Sequence, residues 1–330
     1  MLVVRPGGCE LCTEGEGYRI SLSDDCCWWL SCDQESRMWL DHLAAIMELD
    51  ECARAGEPKV VFSMMGRPDD VGDSAGGRVF HWPGARGRNN GWYCYDHKTL
   101  RIWCHANMPD VVCEVNNDAG DVIGIINMWN SLQPIYQRST NLGGLPFHAA
   151  LVELDGRGIL LAAPGDTGKS TCCRRLPDYW RPLCDDETLV VSGKEKRYRA
   201  HPFPTWSDHL YGSSEKTWNV QYSVPVAAMF FLEQAEADEA VPVGQGEAAV
   251  LMSDSASQIC QRFWRRMDIK DERNFRMEIF HNACEMAKRI PAFRLRVSLH
   301  GRFWEEIEKA LERVCLVDMR ISMPTSVVFR

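Results

Sequence analysis

The chain has 330 residues, of which 45% are hydrophobic and 25% charged, and a formal net charge of −9. This is globular composition with room for two ordinary domains, and the negative balance argues against nonspecific binding to nucleic acid or anionic membranes. Apolar runs all fall short of the roughly 20 residues that cross a bilayer. Arg5 and the run Gly7-Gly8-Cys9-Glu10 interrupt any secretory signal core, so a soluble, cytoplasmic protein is expected.

At the N-terminus Cys9 and Cys12 have metal-ligand spacing and precede Cys26, Cys27 and Cys32. That second group lacks the spacing and no histidine follows until His42, so zinc binding and buried thiols are both open readings. The other cysteines are scattered, several inside apolar runs, and read as reduced thiols packed as small hydrophobes.

Residues 18–22 alternate as a strand, Trp39, Leu43, Ile46 and Met47 repeat at helical spacing, and residues 59–64 are a short apolar strand. Residues 66–91 read as a long polar loop around Val79-Phe80-His81-Trp82. Residues 92–95 and 100–104 flank Asp96-His97-Lys98 as a hairpin, and a strand at 110–115 follows. Val122, Ile125, Ile126, Trp129 and Leu132 mark a helix expected to pack on the next unit. Residues 138–146 read as a polar, glycine-rich connection. The expected division is therefore a mostly-β unit over 1–140, a possible docking or peptide-binding unit, and a second unit over 141–330. Trp28, Trp29, Trp39, Trp82, Trp92 and Trp103 read as core, with a peptide-binding face as the alternative.

The second unit opens with an apolar strand from Phe147, reversed by Asp155-Gly156-Arg157-Gly158 into a second strand. The helix after Lys169 must be short, because Pro177 and Pro182 follow closely. A brief strand at 183–184 ends in Asp185-Asp186-Glu187. Residues 188–192 and 197–200 form a hairpin, 201–206 a stiff aromatic loop, and 226–232 a strand buried on both faces. Residues 259–289 are broadly helical, with Ile259, Phe263, Met267, Met277, Phe280 and Cys284 facing inward. An alternating strand from Phe293 and a last helix over Phe303, Trp304, Ile307, Leu311 and Val314 complete the chain.

The chemistry concentrates where the hairpin's second strand ends. Ala163, Pro164, Gly165, Asp166, Thr167 and Gly168 lead into Lys169, Ser170 and Thr171 at a helix start. Strand, glycine-bearing loop and helix with a Lys–hydroxyl pair at the join is the context of a phosphate loop, although Ala163 stands at its first Gly position. Backbone amides there would cradle a polyphosphate. Lys169 would reach the outer phosphates and Ser170 would hold Mg²⁺. Entry from a hairpin differs from parallel phosphate-loop folds, which enter after a helical crossover. Asp185 and Asp186 are adjacent at a strand end and so project to opposite sides, one toward a metal and the other toward an acceptor hydroxyl. His148, on the strand paired with the loop strand, is placed near the same point; a hydrogen-bonded structural histidine is the alternative.

His148-Ala-Ala-Leu-Val, the hairpin, the loop and Leu183-Cys-Asp-Asp together resemble the HPr serine kinase group, within the phosphoenolpyruvate-carboxykinase-like kinase fold. The layout, including the passage from Ile126-Asn-Met-Trp to Leu145-Pro-Phe-His148, resembles HPr-kinase-like proteins of peptide-modification gene clusters, those of the SynChlorMet cassette in particular. The resemblance implies an α/β (α+β) fold in which an HPr-kinase-like phosphate-loop domain follows a smaller mostly-β domain. It implies ATP and Mg²⁺ as cofactors and a Ser or Thr of a ribosomally made precursor peptide as acceptor; a catalytically inactive nucleotide-binding scaffold of a peptide-modification complex and a small-molecule kinase are the alternative readings. By position it assigns Ala163 through Ser170 to the nucleotide, Asp185 to the general base, Asp186 to the metal side and His148 to the neighbourhood of the base. Other peptide-modifying enzymes are implied partners. Ala149 stands where HPr kinases have Gly, and residues 200–206 lack their Glu-Ile-Arg-Gly signature, which separates this chain from HPr as a substrate.

Overall fold

The computed structural model describes residues 3–4, 10–11, 16–23, 26–54, 56–65, 92–116, 120–165, 167–193, 197–211 and 214–322. The expected loop at 66–91 with Trp82, the pair Cys9 and Cys12, and Asp166 lie outside them. A first pair of short strands is β1 (Val3–Val4) and β2 (Glu10–Leu11). A mixed sheet of seven strands follows: β3 (Gly17–Ser23), β4 (Cys26–Cys32), β5 (Glu51–Cys52), β6 (Lys59–Met64), β7 (Trp92–Asp96), β8 (Leu100–His105) and β9 (Met108–Val115). Their order is β5-β3-β4-β6-β9-β8-β7, with α1 (Arg37–Ile46) packed on β4. Trp28, Trp29, Trp39, Trp92 and Trp103 are buried here, in line with the core reading. Cys26, Cys27 and Cys32 lie on β4, a strand their sequence did not announce, and burial pushes the Cys32 thiol up to about 11.

Two helices lead out of this sheet, α2 (Asp121–Ser131) and α3 (Gln133–Asn141). The first is the helix expected from its apolar spacing. The second corrects the reading of 138–146 as a connection. Its buried face includes Ser139 and Thr140, which carry no hydrophobic signal, and Pro134 sits in its first turn, where a missing N–H costs nothing. Asn282 replaces the lost apolar contact by donating to the Thr140 carbonyl at 2.7 Å.

The remaining elements are β10 (Leu145–Leu154), β11 (Arg157–Ala162), α4 (Lys169–Arg175), β12 (Arg181–Cys184), β13 (Glu187–Ser192), β14 (Tyr198–Phe203), α5 (Trp206–Leu210), β15 (Val224–Gln234), β16 (Glu239–Pro242), α6 (Gln245–Trp264), α7 (Ile269–Ala287), β17 (Ala292–Val297) and α8 (Phe303–Ser322). Seven of their eight strands run β11-β10-β13-β14-β15-β17-β16, β12 pairs with β10 off this path, and β15 also pairs in parallel with β11. Five strands therefore close on themselves in a ring, β11-β10-β13-β14-β15. The fold is mixed α/β, with two large sheets and covering helices.

Strand alternation sorts the ring's side chains to two cores. Leu151, Leu160, Met229 and Phe231 join a cluster that runs continuously from Ile20 to Ala292. Ala150, Val152, Ile159, Leu161 and Phe230 point the other way, onto Cys172 and Cys173 of α4 and Phe303, Ile307 and Leu311 of α8. Strands covered on both faces must be apolar throughout, as β11 beyond Arg157 and most of β15 are.

Three expectations change in the second half. Residues 201–203 continue β14 instead of forming a loop, paired in register with β13. The broad helix over 259–289 is two helices, and α6 begins at Gln245, where Ala248, Ala249, Ser255 and Ala256 make its buried face too small-sided to register as apolar periodicity. Met277 and Phe280 do not face inward: they are 62% and 48% exposed, and the buried stripe of α7 is Phe275, Ile279, Asn282, Ala283 and Met286. Among the described residues no helix is long and apolar enough to cross a membrane.

Candidate functional site

The register around β10 brings distant residues to one point. Along one edge β11 places Ala162 opposite Ala149, so the next residue of the loop, Ala163, comes beside His148. Along the other edge β12 and β13 lie end to end, with Leu151 opposite Cys184 and His148 opposite Glu187. The two pairs are three positions apart on both strands, so the register survives across Asp185-Asp186 and keeps the two acids close to the His148 end of β10.

Gly168 has φ +110° and turns the chain into α4, whose first bond is Cys172 N–H to the Gly168 carbonyl at 2.8 Å. Only glycine takes that backbone conformation without strain. The turn sends Lys169 back under the loop, where it is 7% exposed. A buried ammonium must be hydrogen-bonded; Lys169 Nζ donates to the Ala163 carbonyl at 2.9 Å and to the Pro164 carbonyl at 3.5 Å, and lies 2.9 Å from His148 Nε2. Gly165 is exposed with open space where a Cβ would stand. Thr167 is held at its carbonyl by Gln234 Nε2 at 3.4 Å. Ser170 is half-buried, and Thr171 is exposed with its hydroxyl accepting from Arg174 at 3.4 Å.

The two acids diverge. Asp186 Oδ1 lies 3.0 Å from His148 Nε2, while His148 Nδ1 lies 2.6 Å from Gln258 Oε1 on α6. Burial opposes ionisation of Asp186, but the His148 hydrogen bond and the His148, Lys169 and Arg262 charges outweigh it and hold the carboxyl below its ordinary value. Asp185 instead accepts at Oδ1 from the Thr205 hydroxyl at 2.6 Å. The structure thus gathers Ala163, Lys169, His148 and Asp186, with Asp185 turned toward the start of α5.

Sequence reasoning passed over three supporting side chains. Gln258 and Thr205 carry no motif. Glu187, the third acid of the run, is 2% exposed and accepts from Trp129 Nε1 at 2.8 Å, Tyr136 OH at 2.7 Å and Arg262 Nη2 at 2.7 Å. Arg262 also stacks over the Trp129 ring at 3.9 Å. Near this end of α6, Arg262 is therefore committed to Glu187, and Arg265 bonds Gln261 at 3.3 Å. A buried carboxylate beside two acids, facing tryptophan and arginine, was legible only once α2 was placed.

Among the described residues no three His, Cys, Asp or Glu side chains gather as a metal cage. Mg²⁺ is commonly held by one or two protein oxygens together with substrate phosphates, and the oxygens of Ser170 and Asp186 have the required hardness. Open space at Gly165 and the turn at Gly168 likewise suit a bound phosphate chain. A family model described as SynChlorMet cassette protein ScmC matches residues 111–312, which include every residue of this site. None of the curated proteins matches the chain.

Proposed function

The chain belongs to the family of SynChlorMet cassette protein ScmC, and on that premise we propose that it is an ATP- and Mg²⁺-dependent serine kinase of the HPr-kinase-like type. Its acceptor is a Ser, or a Thr, of a ribosomally made precursor peptide. The observation that carries this reading is Lys169 buried beneath the 163–168 loop and within 2.9 Å of His148, which itself contacts Asp186. Bound Mg²⁺-ATP supplies the phosphoryl group and the metal neutralises charge on it. Lys169 binds outer phosphate oxygens, and Ser170 and Asp186 are the metal donors. Asp185, on the other side of the strand end, takes the proton of the acceptor hydroxyl. His148 orients Asp186 and Lys169 relative to each other.

A second reading is favoured by one residue. Ala163 occupies the first glycine position of the loop pattern and is 6% exposed, its methyl group in the core under α4. A nucleotide-binding scaffold without turnover, serving other peptide-modifying enzymes, is consistent with that substitution. Two measurements separate the readings: a thermal shift with Mg²⁺-ATP, and mass spectrometry of a precursor peptide co-expressed with the protein. The kinase reading expects a raised melting temperature and a gain of about 80 Da on the peptide, the mass of one phosphoryl group. A shift without the mass gain favours the scaffold; neither effect ends both readings.

A further inference from the structure

We propose that Thr205 is a positioning residue for Asp185, fixing which carboxylate oxygen meets the acceptor hydroxyl; this rests on the kinase reading above. The observation is a hydroxyl already on the base. Thr205 Oγ1 donates to Asp185 Oδ1 at 2.6 Å. The contact is consistent with strand register: Glu187 lies opposite Phe203 at the ends of β13 and β14, and Asp185 and Thr205 each lie two positions beyond those ends.

Thr205 is the more firmly held of the two. It is 5% exposed, Pro204 restricts the backbone before it, and Trp206 after it is fully buried. The short helix α5 that it opens rests against α2. Asp185 sits in the bend between β12 and β13 and is half-buried. A carboxylate turns broadly about its terminal bond, so a fixed donor at Oδ1 selects one orientation and presents Oδ2 to the acceptor. Asp186 has a different holder, His148. Removing the Thr205 hydroxyl therefore loosens the base and leaves the Lys169–His148–Asp186 contacts in place.

The test uses the full chain with Thr205→Val and Thr205→Ser, and Mg²⁺-ATP as the probe. Measured are Mg²⁺-ATP affinity, ADP release with water as acceptor, phosphate on the protein, and the Asp185 orientation in crystal structures of both variants. Expected for valine is an ADP-release rate lower by about 10- to 100-fold, an unchanged KM and affinity for Mg²⁺-ATP, and a rotated Asp185. Serine restores both the rate and the orientation. Thr205→Ala takes the place of valine if the valine protein does not fold. Equal loss in valine and serine, or an unmoved Asp185 in the valine structure, overturns the assignment. Phosphate recovered on Thr205 of the wild type overturns it too, by making Thr205 an acceptor. A wild type that binds no Mg²⁺-ATP counts against the kinase reading, while the Asp185 orientations still decide what Thr205 does.

Discussion

Lys169 and Asp186 meet at a single atom: Nε2 of His148 lies 2.9 Å from the ammonium and 3.0 Å from the carboxylate. One ring nitrogen cannot accept from the first and donate to the second at the same time. With its proton on Nδ1, facing Gln258, the ring accepts from Lys169; with a proton on Nε2 it serves Asp186. His148→Leu removes both options and deprives the buried ammonium of its ring-nitrogen contact. The expected loss is about 1–3 kcal/mol, read from urea unfolding without nucleotide.

On the kinase reading, the two sides of the site separate by mutation. Asp185→Asn should abolish phosphoryl transfer while Mg²⁺-ATP still binds, since a positioned carboxylate base is worth about 10²–10⁴-fold. Lys169→Ala should weaken binding as well as transfer. Isothermal titration with Mg²⁺-ATP and phosphate incorporation into the precursor peptide read the two effects apart, and retained turnover in Asp185→Asn refutes the base assignment.

Glu187 is the structural acid of the run. Its truncation to alanine strands Arg262, whose side chain is 16% exposed, and leaves the Trp129 and Tyr136 donors unpaired. Breaking such a buried pair typically costs about 3–5 kcal/mol. Glu187→Gln keeps an acceptor oxygen for Trp129 and Arg262 and should cost clearly less. Chemical denaturation of the two variants side by side checks the ranking.

Gly168→Ala isolates backbone strain. A Cβ at this position meets nothing within 4 Å, so φ +110° is the whole penalty, about 1–3 kcal/mol. The protein is expected to relieve it by moving the loop, so Mg²⁺-ATP affinity should fall more than global stability does. Equal affinity in wild type and variant contradicts the role given to this turn.

Stability should fall on mild acidification for reasons remote from the site. Burial lowers His97 and His201 from 6.5 to about 4. Both are neutral in folded and unfolded chains above about 6.5, and between 6.5 and 4 the unfolded chain binds the extra protons. Stability is therefore fully present above the unfolded value and is lost as pH falls toward 4. Urea midpoints across this range should drop steadily, and His201→Gln should flatten the slope.

The hairpin that feeds the loop, the loop itself, and the short helix after it were legible because each is signalled by neighbours in sequence: Asp155-Gly156 for the turn, Gly168-Lys169 for the join, Pro177 for the stop. Alternation also foretold that Asp185 and Asp186 would find different partners. What stayed hidden rests on long separations or on small polar faces. Gln258 reaches His148 across 110 positions, and Glu187 reaches Trp129 across 58. The buried face of α3 uses Ser139 and Thr140, and that of α6 uses alanines, so neither shows an apolar period. Met277 and Phe280 misled for the opposite reason: they repeat at helical spacing, but on the outer side of α7.

The closed strand ring sets an order of events during synthesis. Turn, loop and the first strand pair leave the ribosome together, and local contacts of that kind form early. Alignment of the imidazole must wait for Gln258, more than a hundred residues downstream of His148. A nascent chain that has released only the glycine loop has its Lys169 turn without a fixed imidazole beside it, and on the kinase reading competence waits for the emergence of α6.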